Sequence, residues 1–330
     1  MAESRQTLMV TEKPSQMRNI APYWQECFPN DILTHFHTPP MGSFRFRLPR
    51  NLPISDVPIV TDPVFERRIF EDAQPIGMDI FGGDFGALAR AADHIVCATD
   101  NDPAGCRNFM DLMIQYRVEM PLSKISWLAL TAEDPQSVRA GIDKGLHADH
   151  RDFAQKAAIG KARQYFNHLY ALNALPVFGL TLRAAGIDPS GKFGFLSKYC
   201  LQTLLLLART ETQPLRRGEI HRLMRDNPAS KVRSPIGTPA SREALLNWLE
   251  QSGCISSQAQ GKEVTYTVSD RGRRLVGLIH KDCFDPQLCI RLDDWGAKWP
   301  ESKSQIDRYI RTFFGKQKRY IHSKIGSTAG

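Results

Sequence analysis

The run His94-Ile95-Val96-Cys97-Ala98-Thr99 is apolar and β-branched, without polar alternation. A strand of this kind is buried on both faces, as in a parallel sheet covered by helices. It leads directly into Asp100-Asn101-Asp102-Pro103-Ala104-Gly105, and Cys106–Val118 beyond reads as a helix. Asp84–Asp93 reads as a helix before it and Ile125–Leu130 as another strand. The N-terminal end has the same pattern: an apolar segment Thr7–Thr11, then Glu12-Lys13-Pro14-Ser15, then a helix beginning over Gln16–Ile20. Pro14 is tolerated there because its missing N–H costs nothing at a helix start. Residues 38–62 are rich in proline and read as extended loop with short strands. Strand, loop and helix in alternation predict an α/β domain with a parallel sheet over residues 1–150.

From residue 151 the pattern turns helical, predicting a mostly α domain over 151–330. Helices are expected over Phe153–Leu172, Leu196–Arg209, Arg216–Met224, Pro239–Ser252 and Asp270–His280, with a hairpin over Cys254–Val268. Helix, helix, hairpin and helix in that order predict a winged-helix-like part over 216–280. The basic tail Lys316–Gly330 is expected to fray.

The chain has 330 residues, enough for two domains with a sizeable core. Hydrophobic content of 42% and charged content of 24% exclude wholesale disorder. No stretch reaches the roughly 18 apolar residues of a membrane span, and no membrane partner is expected. The N-terminal residues lack the apolar centre of a secretory signal, so a cytoplasmic, nucleoid-associated protein is expected. The 7 cysteines show no CxxC pairing, which argues against a structural zinc site and predicts reduced, mostly buried thiols. The formal charge of +8 favours a polyanionic partner.

The sharpest chemical signal is Asp100-Asn101-Asp102 at the end of a buried strand. Ligand sites in α/β sheets gather beyond the carboxyl ends of strands. Two carboxylates one residue apart on a loop can converge on a hard cation such as Mg²⁺, which takes a few carboxylates plus water and phosphate oxygens. The plainer reading is that Asp100 and Asp102 shape the loop and cap the following helix. Glu12 also ends a strand, and Lys13 beside it could neutralise a phosphate.

Met9-Val10-Thr11-Glu12-Lys13-Pro14-Ser15-Gln16 resembles the opening of type IA DNA topoisomerases, and Ala92–Asp102 resembles the second metal-binding motif of that family. Together they resemble a Toprim domain. The resemblance implies that Glu12, Asp100 and Asp102 form the acidic, Mg²⁺-binding triad and that Glu12 and Lys13 serve catalysis at the scissile phosphate. Leu52–Phe65 resembles the family's linker segment. The family's acidic motif continues Asp-x-Asp-Arg-Glu-Gly-Glu, whereas Pro103, Ala104 and Cys106 stand at the Arg and the two Glu positions here. The Asp-Asn-Asp-Pro-Ala-Gly form is closer to Toprim domains of primases and plasmid proteins.

The resemblance continues in Ala162–Phe166 with Arg163, and in Leu201-Gln202-Thr203, where Tyr199 and Cys200 replace a Gly and an Arg. Ile236-Gly237-Thr238-Pro239-Ala240-Ser241-Arg242 is similar to the family's Ile-Gly-Thr-Pro-Ala-Thr-Arg. It implies DNA contacts by Arg163, Gln202, Thr203, Thr238, Ser241 and Arg242. Thr238-Pro239 also makes a good helix start on chemistry alone, with Arg242 in the first turn near an anion-favouring helix end. The alternative is an ordinary capped helix with a solvated arginine. Between the two blocks the family carries its gate domains and the nucleophilic Tyr-x-Arg-Thr. Thr210–Arg233 stands in their place, contains no tyrosine and is too short for a domain. Tyr309-Ile310-Arg311-Thr312 matches the tyrosine string but lies on an amphipathic helix (Ile306, Ile310, Phe313, Phe314), where a structural tyrosine is the plainer reading.

The expected protein is therefore similar to a type IA topoisomerase without its gate: a Toprim domain and a helical domain binding single-stranded DNA, with Mg²⁺ as cofactor and no strand passage of its own. Trp248 and Tyr165 are candidates for base stacking or for core packing. The other readings are a metal-dependent phosphodiesterase or nuclease using the same acids with water as nucleophile, and a non-catalytic partner of a full-length topoisomerase or another DNA-processing protein.

Overall fold

The computed structural model describes residues 4–38, 44–48, 52–67, 79–81, 84–190, 195–210, 214–260 and 263–326. The chain divides into two compact units. The first comprises Met1–Arg47, Val64–Arg163 and Gly296–Pro300; the second comprises Leu48–Pro63, Gln164–Trp295 and Glu301–Gly330. The helix Arg151–Ala184 begins at the boundary expected at residue 150, and the division between the units falls inside it, between Arg163 and Gln164. The helix runs past the end expected at Leu172, because Val177, Phe178, Thr181 and Leu182 keep burying one face beyond Pro176.

In the first unit the elements are β1 (Arg5–Thr11), α1 (Pro14–Cys27), β2 (Asp31–His37), β3 (Phe44–Phe46), β4 (Phe65–Arg67), β5 (Asp79–Phe81), α2 (Phe85–Ala91), β6 (His94–Cys97), α3 (Pro103–Gln115), β7 (Ile125–Trp127), α4 (Pro135–Asp143) and the start of α5 (Arg151–Ala184). Five strands form one sheet in the order β5-β2-β1-β6-β7, and every pairing is parallel. The inner strands β1 and β6 explain the apolar runs seen in the sequence: Met9, Val10, Val96 and Cys97 are all fully buried. One face packs Phe85, Phe109, Leu112 and Trp127; the other packs Ile20, Trp24 and Val138.

The strand order sets where a ligand can sit. From β1 the chain moves outward to β2 and β5, then returns to the other side of β1 to lay down β6 and β7. The order therefore reverses between β1 and β6, and loops leaving those two strands diverge and open a crevice beyond their carboxyl ends.

Asp31 holds the opposite end of the sheet. Arg5 grips its carboxylate at 3.0 and 2.8 Å, and the Thr7 hydroxyl and Trp24 indole donate to it at 2.8 and 2.9 Å. Burial alone would raise its pKa; the donors from Arg5, Trp24 and Thr7 reverse this and hold it below the usual 3.8. Its contribution is present above that usual value and is lost as pH falls through the lowered one. Asp31→Ala leaves a buried indole and hydroxyl without an acceptor and is expected to cost about 3 kcal/mol in urea unfolding. A loss below about 1 kcal/mol would mean that water replaces the carboxylate at little cost.

The second unit holds the remainder of α5 and α6 (Lys198–Leu207), β8 (Leu215–Arg216), α7 (Arg217–Asp226), α8 (Pro239–Gln251), β9 (Ile255–Gln260), β10 (Glu263–Val268), α9 (Asp270–Gly277), part of α10 (Leu288–Ala297) and α11 (Lys303–Gly326). Its sheet is antiparallel in the order β8-β10-β9. Phe166, Tyr170, Phe178, Phe313 and Phe314 stack and edge against one another in its core. The tail does not fray where expected: α11 continues to Gly326, with Gln317 and Ile321 extending the buried stripe of Ile306, Ile310 and Phe314.

Buried side-chain amides fasten the irregular segments of this unit. Asn173 accepts from the N–H of Ile59 at 2.6 Å and donates to its carbonyl at 2.8 Å. Gln202 donates to the Cys283 carbonyl and accepts from the Asp285 N–H, at 2.8 and 2.9 Å. Gln317 does the same to the Leu278 carbonyl and the His280 N–H, at 2.8 and 2.7 Å. Each amide pairs with backbone as another peptide unit would. The segment compared above to a linker is thus anchored, at Ile59, within the second unit.

Candidate functional site

Glu12 and Asp100 leave the carboxyl ends of the adjacent strands β1 and β6, at the reversal of strand order. The register Val10↔Cys97, continued by the Ala98 N–H bond to the Val10 carbonyl, keeps the two departing loops side by side. Asp100 then lies near enough to Glu12 for its charge to act on the Glu12 carboxyl. Lys13 Nζ is 3.3 Å from Asp100 Oδ2, and Gln16 Nε2 donates to Asp100 Oδ1 at 2.5 Å. The Gln16 side-chain oxygen accepts from the backbone N–H groups of Glu12 and Lys13 at 2.8 and 3.1 Å, so one amide fixes both strand-end loops. Asn108 on α3 donates to Glu12 Oε1 at 2.7 Å.

The charges follow from this crowding. Burial is the main reason the Glu12 carboxyl is raised from 4.5 to about 7; Asn108 opposes the rise, and the negative Asp100 and Asp102 add to it. Arg107 on α3 is desolvated, which lowers its pKa, while Asp111, Glu12 and Asp102 pull the other way. Lys156 on α5 donates to Asn101. Three acids are therefore bordered by Lys13, Arg107 and Lys156, a setting that suits a phosphate as well as a cation.

Asp102 is engaged in the start of the next helix. Its Oδ1 accepts from the N–H groups of Ala104 and Gly105, both at 2.8 Å, as the N-cap of α3, with Pro103 in the first turn. Asp102 thus makes the cap of the capping alternative, and among the described residues no group of three His, Cys, Asp or Glu side chains is arranged to hold a metal ion. Glu12 and Asp100 are brought together; Asp102 contributes charge nearby. At the departures from the acidic motif, Cys106 is fully buried in the core and its thiol is pushed up to about 12 by burial, so it supplies neither a carboxylate nor a nucleophile.

The residues compared with DNA contacts are scattered in role. Gln202 is the buried backbone clamp described above, and Thr203 is fully buried. Arg242 is 8% exposed, and its guanidinium donates to the carbonyls of Ile236 and Gly237 at 3.2 and 3.0 Å. It closes the loop before α8, unlike the solvated arginine of the sequence alternative. Thr238 caps α8 through Ser241, and both are at the surface. Arg163 is half-buried on α5. Tyr165 packs in the core with its hydroxyl on Asp307 at 2.7 Å. The hydroxyl of Tyr309 is buried, and its ring packs on Phe166, Trp295 and Phe313. Burial first, then the Asp285 charge, holds this phenol well above its ordinary 10.

Sequence reasoning did not single out Gln16, Arg107, Asn108 or Lys156. Gln16 was findable as the third helical residue after a strand-end acid, the position from which a side chain reaches back to the N-cap. Arg107 and Asn108 were findable as a polar pair between apolar residues, one turn into the helix that follows Asp102. Lys156 carries no local signal.

Compared with known proteins, the chain matches no protein-family model and no curated protein.

Proposed function

We propose that the chain is a DNA-binding protein of type IA topoisomerase kind without a gate, its first unit a Toprim domain and its second a helical DNA-binding part. The observation that carries this is the meeting of Glu12, Lys13 and Asp100 at the reversal of strand order in a parallel sheet. Within the second unit, α6, β8, α7, α8, β9 and β10 follow the helix-strand-helix-helix-strand-strand order of a winged helix, with the first strand paired to the last. The reading of the first unit implies Mg²⁺. Glu12 and Asp100 are hard oxygen donors whose mutual repulsion a divalent cation would relieve, and two carboxylates with water and phosphate oxygens suffice for Mg²⁺. When bound, the ion would neutralise phosphate charge. Lys13 would pair with a phosphate oxygen, and Gln16 and Asn108 would keep the two acids oriented.

Binding of a labelled single strand, followed by anisotropy at several salt concentrations, tests the reading. Log K should fall with log salt at about −0.7 per phosphate neutralised, and a flat profile would remove the proposal. Purified chain with Mg²⁺ is expected not to relax supercoiled DNA. A phenol must be deprotonated and exposed to attack phosphate, and the Tyr309 hydroxyl is neither. Relaxation that is abolished by Tyr309→Phe would overturn this expectation.

One observation favours a second reading, hydrolysis of a phosphodiester by water. A carboxyl raised to about 7, as at Glu12, is poised to take and return a proton near neutral pH. Accumulation of free ends on a labelled strand, lost in Glu12→Gln, would decide for it.

A further inference from the structure

The turn between α7 and α8 gathers positive charge that nothing in the first unit's site uses. Asp226 ends α7 and is gripped by Arg225 at 2.7 and 3.1 Å. That bond, with the added fields of Arg222 and Arg233, holds its carboxyl below the usual range. The buried Arg242 lies close enough to feel both Arg225 and Asp226. One carboxylate, itself held by Arg225, thus stands against the charges of Arg222, Arg233 and Arg242. Arg222, Arg225 and Arg233 are exposed, and so is Lys231 between them.

The turn that carries these cations is built rather than loose. Asn227 adopts the left-handed conformation (φ 40°) and donates to the carbonyls of Ser234 and Pro286, both at 2.7 Å. The Ile236 N–H returns to the Met224 carbonyl at 2.8 Å, and Arg242 closes the last residues of the loop from the other side. Cations held on a fixed backbone lose less entropy on meeting a polyanion than cations on a free loop.

The neighbouring surface of α8 has a different chemistry. Along it Ser241, Ala244, Asn247 and Gln251 recur at helical spacing, all at least partly exposed. The two acids of the helix are drawn aside, Glu243 to Arg217 at 2.9 Å and Glu250 to Ser257 at 2.5 Å. The face carries small residues and side-chain amides, the type of group that pairs with adenine edges. A helix of this length, ~20 Å, fits the major groove, whereas a single strand offers no groove for it. The exposed backs of Ser256 and Gln258 on β9 add polar surface on the hairpin.

We propose that α7, α8 and the turn between them form a reading head for double-stranded DNA, with Arg222, Arg225, Lys231 and Arg233 on backbone phosphates and Ser241, Asn247 and Gln251 facing base edges in the major groove. This rests on the DNA-binding reading above and adds a substrate class to it: duplex at the second unit, beside the single strand expected from the resemblance.

The test uses the full chain and two labelled probes, a duplex of about 20 base pairs and one of its strands alone. Arg222→Ala/Arg233→Ala is expected to weaken duplex binding about tenfold near 100 mM salt and to make the slope of log K against log salt shallower by about 1.8, two phosphate contacts. Asn247→Ala/Gln251→Ala is expected to leave that slope unchanged but to erase the sequence motif that the wild type enriches from a random duplex pool. All four positions are at the surface, and circular dichroism checks that both variants fold. Duplex affinity and slope unchanged in the arginine variant would overturn the proposal. So would wild-type binding of the single strand without the duplex, which leaves the DNA-binding reading standing. Binding of neither probe removes both.

Discussion

Asp100→Asn is expected to abolish the stabilisation that Mg²⁺ gives the wild-type chain. Binding to the folded state alone adds about 2.7 kcal/mol at a hundredfold excess over Kd, so thermal unfolding with and without Mg²⁺ reads the site directly. The asparagine keeps an oxygen for Gln16, which donates to Asp100 at 2.5 Å, and removes the charge that an ion needs. In the absence of metal the same variant should be slightly more stable than wild type at pH 8. Glu12 is raised to about 7, so its contribution is complete below its usual 4.5 and is lost as pH rises toward and through 7. Burial causes most of that rise and would remain; the part due to Asp100 would vanish, returning on the order of 0.5 kcal/mol. Opposite signs with and without Mg²⁺ separate a metal site from a structural contact. An undiminished Mg²⁺ response in the variant would place the ion elsewhere.

Gly105→Ala is expected to be among the most damaging single-methyl changes in the chain. In an open helix position the substitution would help, because glycine costs up to about 1 kcal/mol relative to alanine. At Gly105 an added Cβ would overlap the carbonyl oxygen of Asp100, and no rotamer can relieve a clash with backbone on both sides. Either α3 retreats from the loop or the loop carries Asp100 away from Glu12. We expect a loss of 3 kcal/mol or more in urea unfolding together with a weakened Mg²⁺ response. Gly218→Ala in the first turn of α7, where a Cβ meets nothing within 4 Å, is the matching control. It is expected to stabilise by about 0.5 kcal/mol. Equal effects at the two positions would mean that backbone entropy, and not the contact with Asp100, governs Gly105.

Much of the first unit was legible because its central strands are buried on both faces. Val10, Ile95 and Val96 had no polar alternation to confuse, and the acids had to fall at strand ends. An α/β unit followed by a mostly helical one was likewise legible from periodicity. What the sequence did not settle was the direction of individual side chains. Asp102 could cap or coordinate, and a helix start with two free N–H groups competes directly for its oxygen. Gln202 and Arg242 stand in strings similar to DNA-contact motifs, yet both turn inward, because loops around Cys283 and Gly237 needed partners for their carbonyls. Short motifs record residue order and not which face of a helix the next element will cover. The tail misled for the same reason: Gln317 and Ile321 turn into the core, and Lys316 and Lys318 beside Gln317 find partners in Asp282 and in the carbonyls of Ser55 and Val57.

The buried amides Asn173, Gln202 and Gln317 have a practical consequence for any salt titration. Each holds a segment of the second unit with neutral dipoles, shielded from solvent, so counterions have no charge there to screen. Arg222, Arg225 and Arg233, by contrast, face water and feel every change in ionic strength. Raising salt should therefore strip a polyanion from the surface while the scaffold beneath keeps its shape. Over that range the measured slope counts released counterions and is not contaminated by melting.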